Sequence, residues 1–272
     1  MPYNKTVVAD SVITRLIENQ GIYTSMNRSF DGLVRPGATS VDIPALAIPE
    51  VKTTGTATVN AGRKKAKADT NMINVSLSPY VVPLAEEILA QYESNGQLIK
   101  NYLDSASMAL QEKFDSIVVE EAQTTTDKSA FAGASMAWAD VIDITKRFDL
   151  NKVPKSQRVI AVSAGLASEF FNIDVIKNAV GYNSAFLTSG TLLQLMGMKF
   201  FISGLVSTVT VGGAAKENMV GIYGPGLAFI LSRMGDIKEA WDTANLQQVV
   251  DMIAHAGCKL FDNKFAVVKY KP

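Results

Sequence analysis

The segment Gly96–Ala122, GQLIKNYLDSASMALQEKFDSIVVEEA, decides the fold that we predict from this sequence. Its apolar residues recur at spacings of three and four, which places them in one stripe along a helix. Such a helix is about 40 Å long at 1.5 Å per residue, so we expect it to be a scaffold for neighbouring elements. The apolar stripe consists of Ile99, Leu103, Ala106, Leu110, Phe114 and Ile117, and the opposite, polar side carries Lys100, Asp104, Gln111, Lys113, Asp115 and Glu121.

Two segments that precede this helix lack a core of their own. Residues 1–37 are rich in turn-forming residues, apart from a short helix predicted over Val12–Glu18. Residues 38–78 have strand composition, and we interpret them as a strand, a basic tip and a returning strand. An isolated two-stranded hairpin is marginally stable in water. We therefore expect the second segment to pack on another subunit, and the first to be either disordered or ordered by a neighbour.

The rest of the chain alternates between helical and strand patterns, which predicts a compact α/β or α+β module. Residues 124–136 have loop composition. Helices are predicted over Pro83–Tyr92, Trp138–Phe148, Leu166–Phe171, Val175–Ala179 and Leu192–Met196. Strands are predicted over Arg158–Ser163, Lys199–Ser203, Met219–Tyr223, Leu227–Leu231, Leu246–Ile253 and Phe265–Tyr270.

Composition excludes several classes of protein. The 272 residues include 26 basic and 26 acidic side chains, whereas a dedicated nucleic-acid binder needs a basic surplus to neutralise phosphates. A single cysteine, Cys258, rules out an intramolecular disulfide and a cysteine-based zinc site. The sequence shows no signal peptide and no apolar run of about 18 residues, so we expect a chain that folds in a cytoplasm and does not contact a membrane.

Templates for catalysis also fail. The chain has one histidine, His255, and no G-x-S-x-G motif, so neither a histidine-based zinc site nor a serine triad can be assembled. Cys258 lies three residues from His255, a spacing that puts the two on opposite faces of a strand. The glycine stretches Gly212-Gly213 and Gly224-Pro225-Gly226 lack the spacing of phosphate or dinucleotide loops and are interpreted as turns. The sequence therefore predicts no catalytic, cofactor-binding or metal site.

The candidate functional residues are contacts between subunits. The basic tip has two interpretations, a solvated loop or an electrostatic contact with an acidic neighbouring subunit. The short helix predicted in residues 1–37 would offer an apolar contact to a neighbouring subunit. The candidates are Arg63, Lys64, Lys65, Lys67, Val12 and Leu16.

The order of these elements resembles the major capsid proteins of tailed bacteriophages, which share the Hong Kong 97-like fold. Four phrases are similar to stretches of that family: GATSVDIPAL, VSLSPYVVPLAEEILAQYESNGQLIKNYLDSASMALQEKFDSIVVEEA, TLLQLMGMKFFISGLV, and MVGIYGPGLAFIL with the following EAW. The resemblance implies an α+β fold with an N-terminal arm (1–37) and an extended hairpin loop (50–74). It also implies a peripheral domain (38–49, 75–136 and 229–256) with a spine helix over 96–122, and an axial domain (137–228 and 257–272).

The resemblance also implies a structural function and no enzymatic one. Copies of the chain would form hexamers and pentamers of an icosahedral shell that encloses phage double-stranded DNA in the virion, after assembly in the bacterial host cytoplasm. Portal, scaffolding and decoration proteins are the partners implied. Two alternatives stay open: an encapsulin-like compartment shell, and a cytoplasmic α/β enzyme with an unrecognised active site. The lysine–asparagine cross-link of some members is not carried over, because no residue identifies the acceptor.

Overall fold

A computed structural model describes residues 21–35, 38–45, 71–87, 97–176, 194–195, 197–242 and 247–272. The fold is α+β, as the sequence predicts. Its helices are α1 (Gln97–Ala122), α2 (Trp138–Leu150) and α3 (Ala167–Asn172). Its strands are β1 (Ser40–Ala45), β2 (Asn71–Ser76), β3 (Ser78–Glu87), β4 (Lys128–Ala130), β5 (Arg158–Ser163), β6 (Gln194–Leu195), β7 (Met198–Ser203), β8 (Val209–Val211), β9 (Ala214–Lys216), β10 (Asn218–Tyr223), β11 (Leu227–Asp242), β12 (Gln247–Leu260) and β13 (Ala266–Tyr270).

Helix α1 confirms the predicted scaffold helix. Leu110 and Phe114, two residues of the predicted stripe, are buried in the largest core cluster together with residues of β5, β10, β11 and β12. Among the side chains that the structure describes, the predicted polar side is wrong at Asp115, which is buried with 7% of its surface exposed. Its carboxylate stays inside because backbone amides from residues far away in sequence satisfy it, which a helical pattern alone does not show.

A mixed sheet of six strands lies at the centre of the second half of the chain. Its order is β4-β13-β10-β5-β7-β6, with parallel pairs at β4–β13 and β5–β7 and antiparallel pairs elsewhere. One face packs on α2, through Val141, Ile144 and Phe148. The other face, which includes Val220 and Ile222, joins the core of α1. Both faces are thus covered, which explains why all six residues of β5 are buried.

A second sheet has the antiparallel order β11-β12-β3. Met252, Ala254 and Ala256 on β12 alternate towards the core that contains α1. On the opposite face, Gly257 lies directly below the junction of β2 and β3. A Cβ atom at position 257 would come within 2.2 Å of the carbonyl oxygen of Ser76.

Strands β1 and β2 form an antiparallel ladder from Ser40–Ser76 to Ala45–Asn71. The ladder packs on β11 through a small core cluster that includes Ile43, Val75 and Ile230. The alternating pattern predicted for residues 38–78 is therefore confirmed at both ends of the segment. The intervening tip lies outside the described residues.

The predicted helix over Pro83–Tyr92 is wrong as far as Glu87, because residues 83–87 continue strand β3. Pro83 pairs with Asp251 of β12, and β3 is the last strand of its sheet. Proline is tolerated there because an edge strand leaves part of its backbone without ladder bonds. Tertiary pairing with β12 outweighs the local helical preference of the sequence.

Smaller corrections concern short elements. The predicted loop 124–136 contains strand β4, which pairs with β13. The predicted helix Leu192–Met196 is wrong at Gln194–Leu195, where two residues pair with β7 and Gly197 forms the turn with a φ of 78°. The chain is helical at residues 174–176, where the helix Val175–Ala179 was predicted to begin. The remainder of that prediction lies outside the described residues.

Residues 21–35 belong to the predicted arm, yet they pack on the body of their own chain. Ile22, Tyr23 and Met26 are buried in the core that contains α1. Asn27 forms a parallel bridge with Ala228, at the start of β11. The predicted helix Val12–Glu18 lies outside the described residues.

Candidate assembly surfaces

His255 and Cys258 lie three residues apart on one strand, which places their side chains on opposite faces of the sheet. Both lie on β12, where His255 pairs with Arg233 and Cys258 with Phe229 on β11. Burial raises the pKa of the Cys258 thiol well above its usual range, so the reactive thiolate is disfavoured. Within the described ranges, no group of three or more histidine, cysteine, aspartate or glutamate side chains could hold a metal ion.

Both glycine stretches are turns, as predicted. Gly212 and Gly213 join β8 to β9 with φ angles of 62° and 82°, which only glycine adopts without strain. Residues 224–226 form a 3-10 turn between β10 and β11. A Cβ atom at Gly224 would come within 2.1 Å of the carbonyl oxygen of Ser25, so this turn lets the N-terminal segment cross close to the six-stranded sheet.

The base of the hairpin is the described part nearest to the predicted contact residues. Asn74 on β2 donates a hydrogen bond of 2.7 Å to the Asp42 carboxylate on β1, on the exposed side of the ladder. Met72 is 62% exposed at the same end. The residues beyond the pair Ala45–Asn71, including Arg63, Lys64, Lys65 and Lys67, lie outside the described residues, as do Val12 and Leu16.

An anchor holds residues 21–26 on helix α1. The backbone amide of Tyr23 donates a 2.9 Å hydrogen bond to Oδ1 of Asp115, and the amide of Ile22 also bonds to this carboxylate. The Tyr23 ring contacts Phe114 and Phe229 at centroid distances of 5.5 and 5.6 Å. Burial raises the pKa of the Asp115 carboxyl from 3.8 to about 6. The two hydrogen bonds from the backbone amides lower this pKa, but they only partly oppose the effect of burial.

Gly21 permits the close approach in this anchor. A Cβ atom at position 21 would lie 2.8 Å from each carboxylate oxygen of Asp115. Real Cβ atoms essentially never come this near, so a larger residue would have to push the segment away from α1.

A buried ion-pair network, which the sequence does not reveal, joins α2 to the six-stranded sheet. Nζ of Lys269 on β13 lies 3.1 Å from Asp140 and 3.0 Å from Asp143, and the Asp140 side chain is fully buried. Arg147 pairs with Asp143 at 3.0 Å and with Asp127. Burial tends to raise the pKa of Asp143, but hydrogen bonds from Lys269 and Arg147 prevail and lower it. Each cation thus lies against two carboxylates, and Asp143 contacts both cations, which is typical of a structural network.

An open cleft of about 480 Å³ lies between the start of α2 and the end of α3, beside Trp138 and Val175. Its most obvious acid, Glu169, already accepts the amide of Met136 at 2.8 Å and pairs with Lys271 at 2.6 Å. The Glu169 carboxylate is therefore already held by two partners.

The described helices include none that is long and apolar enough to cross a membrane. No protein-family model matches the sequence. No curated protein matches it either.

Solved structures do resemble the chain. A structure from Mycobacterium phage Che8 superposes with a TM-score of 0.65 and 18% identity over 92% of this chain and 91% of that one. The capsid structure of cyanophage P-SCSP1u superposes with a TM-score of 0.60 and 10% identity over 86% of this chain and 84% of that one. The SrpI encapsulin complex from Synechococcus elongatus superposes with a TM-score of 0.59 and 10% identity over 86% of this chain and 82% of that one.

The chain has the Hong Kong 97-like capsid fold. This confirms the resemblance to tailed-phage major capsid proteins at the level of the fold. The likeness extends over most of the chain, so it does not rest on a shared helix or sheet alone.

Proposed function

We propose that the chain is a major capsid protein, whose copies assemble as hexamers and pentamers into an icosahedral shell around phage double-stranded DNA. The capsid fold over most of the chain supports a shell function without enzymatic activity. Assembly would take place in the cytoplasm of the bacterial host, and the mature location would be the virion.

The observation that carries this proposal, beside the fold, is the geometry of the β1–β2 ladder. Its last pair is Ala45–Asn71, so the two residues that flank segment 46–70 lie side by side. This is what a loop that reaches over a neighbouring subunit requires. The Thr-rich composition of the segment and its five basic residues, with few large apolar side chains, favour packing on a partner over an independent core.

The proposed division into domains follows the same reasoning: an arm (1–37), an extended loop (50–74), a peripheral domain containing α1, and an axial domain from residue 137. The arm would begin to diverge from the body at the anchor on Asp115. Each copy would then be held by several neighbours, so weak individual contacts add to a stable shell. Portal, scaffolding and decoration proteins are the further partners that we propose.

An encapsulin-like compartment shell is the alternative. The SrpI encapsulin complex superposes on the chain with a TM-score similar to those of the phage structures, and this similarity supports the second candidate function. The two functions differ in content. A phage shell isolated from its native source would protect DNA from nuclease, whereas a compartment shell would contain a co-purifying enzyme and no DNA.

A hairpin-shortening variant tests the proposal. Residues 46–70 are replaced by Asn-Gly, because a two-residue turn of this type closes an antiparallel ladder at the pair Ala45–Asn71. We expect wild-type chains to form shells in negative-stain images and by sedimentation, and the shortened chain to remain a folded, unassembled subunit. A wild-type chain that never assembles, or a shortened chain that assembles normally, would contradict the proposal.

A charge variant tests the contact residues separately. Its four changes are Arg63→Gln, Lys64→Gln, Lys65→Gln and Lys67→Gln. If the basic tip contacts an acidic neighbour, this chain assembles poorly at low salt while its circular dichroism is unchanged. If it assembles like the wild type, the tip is a solvated loop.

A further inference from the structure

Asp115 is an unusual residue for its place in the core. It is 7% exposed on a helix face whose other buried members include Leu110, Phe114 and Val118. The described part of the chain provides amide donors to its carboxylate but no cation within ion-pair distance. A buried carboxylate without a counter-ion is costly, because burial disfavours the charged form.

The ionisable groups around this carboxylate do not neutralise it. On the N-terminal segment these are Tyr23 and Arg28, and Arg28 pairs with Asp31 at 2.7 Å. On α1 the adjacent ionisable residues, Glu112 and Lys113, are exposed. Strand β11 contributes the apolar ring of Phe229 to the cluster. The helix also packs on β12 and β3, where Lys259 pairs with Glu121 and Tyr80 lies under Lys113.

We propose that Asp115 is a proton-sensitive lock, which holds the segment Gly21–Met26 on helix α1 more tightly as a carboxylic acid than as a carboxylate. In the locked state the carboxyl is buried under the amides of Ile22 and Tyr23. In the open state the segment has left α1 and the carboxyl is hydrated. A proton removes the charge that burial penalises, and the remaining carbonyl oxygen still accepts an amide hydrogen bond.

The direction of the effect follows from proton linkage. The pKa of Asp115 is about 6 in the locked state and returns towards 3.8 when the carboxyl is hydrated. The locked state therefore takes up a proton between these two values that the open state does not, and opening becomes easier as pH rises from about 4 to above 6. Between pH 4.5 and 7.5 the opening equilibrium should increase by about 25-fold.

Hydrogen–deuterium exchange on the full, unassembled chain tests this inference. The amides of residues 21–26 are followed by mass spectrometry from pH 4.5 to 7.5, and the rates are corrected for the intrinsic pH dependence of exchange. The strand Asn218–Tyr223 of the six-stranded sheet is the internal reference. We expect protection of residues 21–26 to fall by about 25-fold over this range, while protection of the reference strand stays higher and changes less.

Two variants assign the effect to the residue. Asp115→Asn cannot ionise and should lose the pH dependence of residues 21–26. Glu112→Gln removes an exposed carboxylate one turn away and should retain it. A pH-independent segment in the wild type, or the same trend in the reference strand, would overturn the inference. That comparison needs no variant, so it decides the matter even if Asp115→Asn does not fold. Because no shell is involved, either result leaves the proposed function separately testable.

Discussion

The substitution Leu110→Ala measures how much the apolar stripe of α1 contributes to stability. Leu110 is 1% exposed, in the cluster that joins α1 to both large sheets. Truncation removes three carbon atoms, or about 2.4 kcal/mol at about 0.8 kcal/mol for each buried methylene. The cavity left behind adds to this loss, because the surrounding residues relax only in part. We expect a total decrease of about 3–5 kcal/mol in the free energy of unfolding.

Met108→Ala is the matched control on the same helix. Met108 is 56% exposed, and alanine is a slightly better helix former, so its free energy of unfolding should change by less than about 0.5 kcal/mol. Urea unfolding of the unassembled chains, followed by circular dichroism, gives both values. A decrease below about 1 kcal/mol for Leu110→Ala, or equal decreases for the two variants, would show that this stripe is not a tightly packed core.

Two further pairs of variants test the buried network and the crossing of the chain. Lys269→Met leaves the fully buried Asp140 without its cation and should cost about 3–5 kcal/mol in urea unfolding, whereas Lys271→Met, whose side chain is 41% exposed, should cost at most about 1 kcal/mol. Equal decreases in the free energy of unfolding would mean that the buried pair stabilises the fold no more than the exposed one. Gly224→Ala forces a Cβ atom against backbone and should lower the melting temperature by several degrees, whereas Gly204→Ala, with no atom within 4 Å of the added Cβ, should not. Similar melting temperatures for both would contradict the close crossing.

The scaffold helix was predictable because its signal is long and local. An apolar spacing maintained from Ile99 to Ile117 leaves little choice of structure. Asp115 was not predictable from that pattern, since the amide that satisfies it lies 92 residues away. The strand at Pro83 was misread for a related reason: its partner, Asp251, is supplied only by the folded sheet.

The candidate site was predictable only as a class of surface. Failed catalytic templates and the order of elements predict contacts between copies; the fold confirms the order of elements, and the contacts themselves stay a prediction. The individual contacts at Arg63, Lys64, Lys65 and Lys67 remain predictions. The pair Lys269–Asp140 could not be found from sequence, because 129 residues separate its members and nothing in either local pattern identifies a partner.

The prolines of β3 affect how the edge of the three-stranded sheet can pair with a strand from another chain. Pro79 and Pro83 remove two backbone donors from the strand that ends the three-stranded sheet. A strand from another chain finds an interrupted template there, so sheet-to-sheet growth into fibres is disfavoured. At this edge, contact with another chain is therefore left to side chains, which can readjust, because continuous backbone pairing is interrupted.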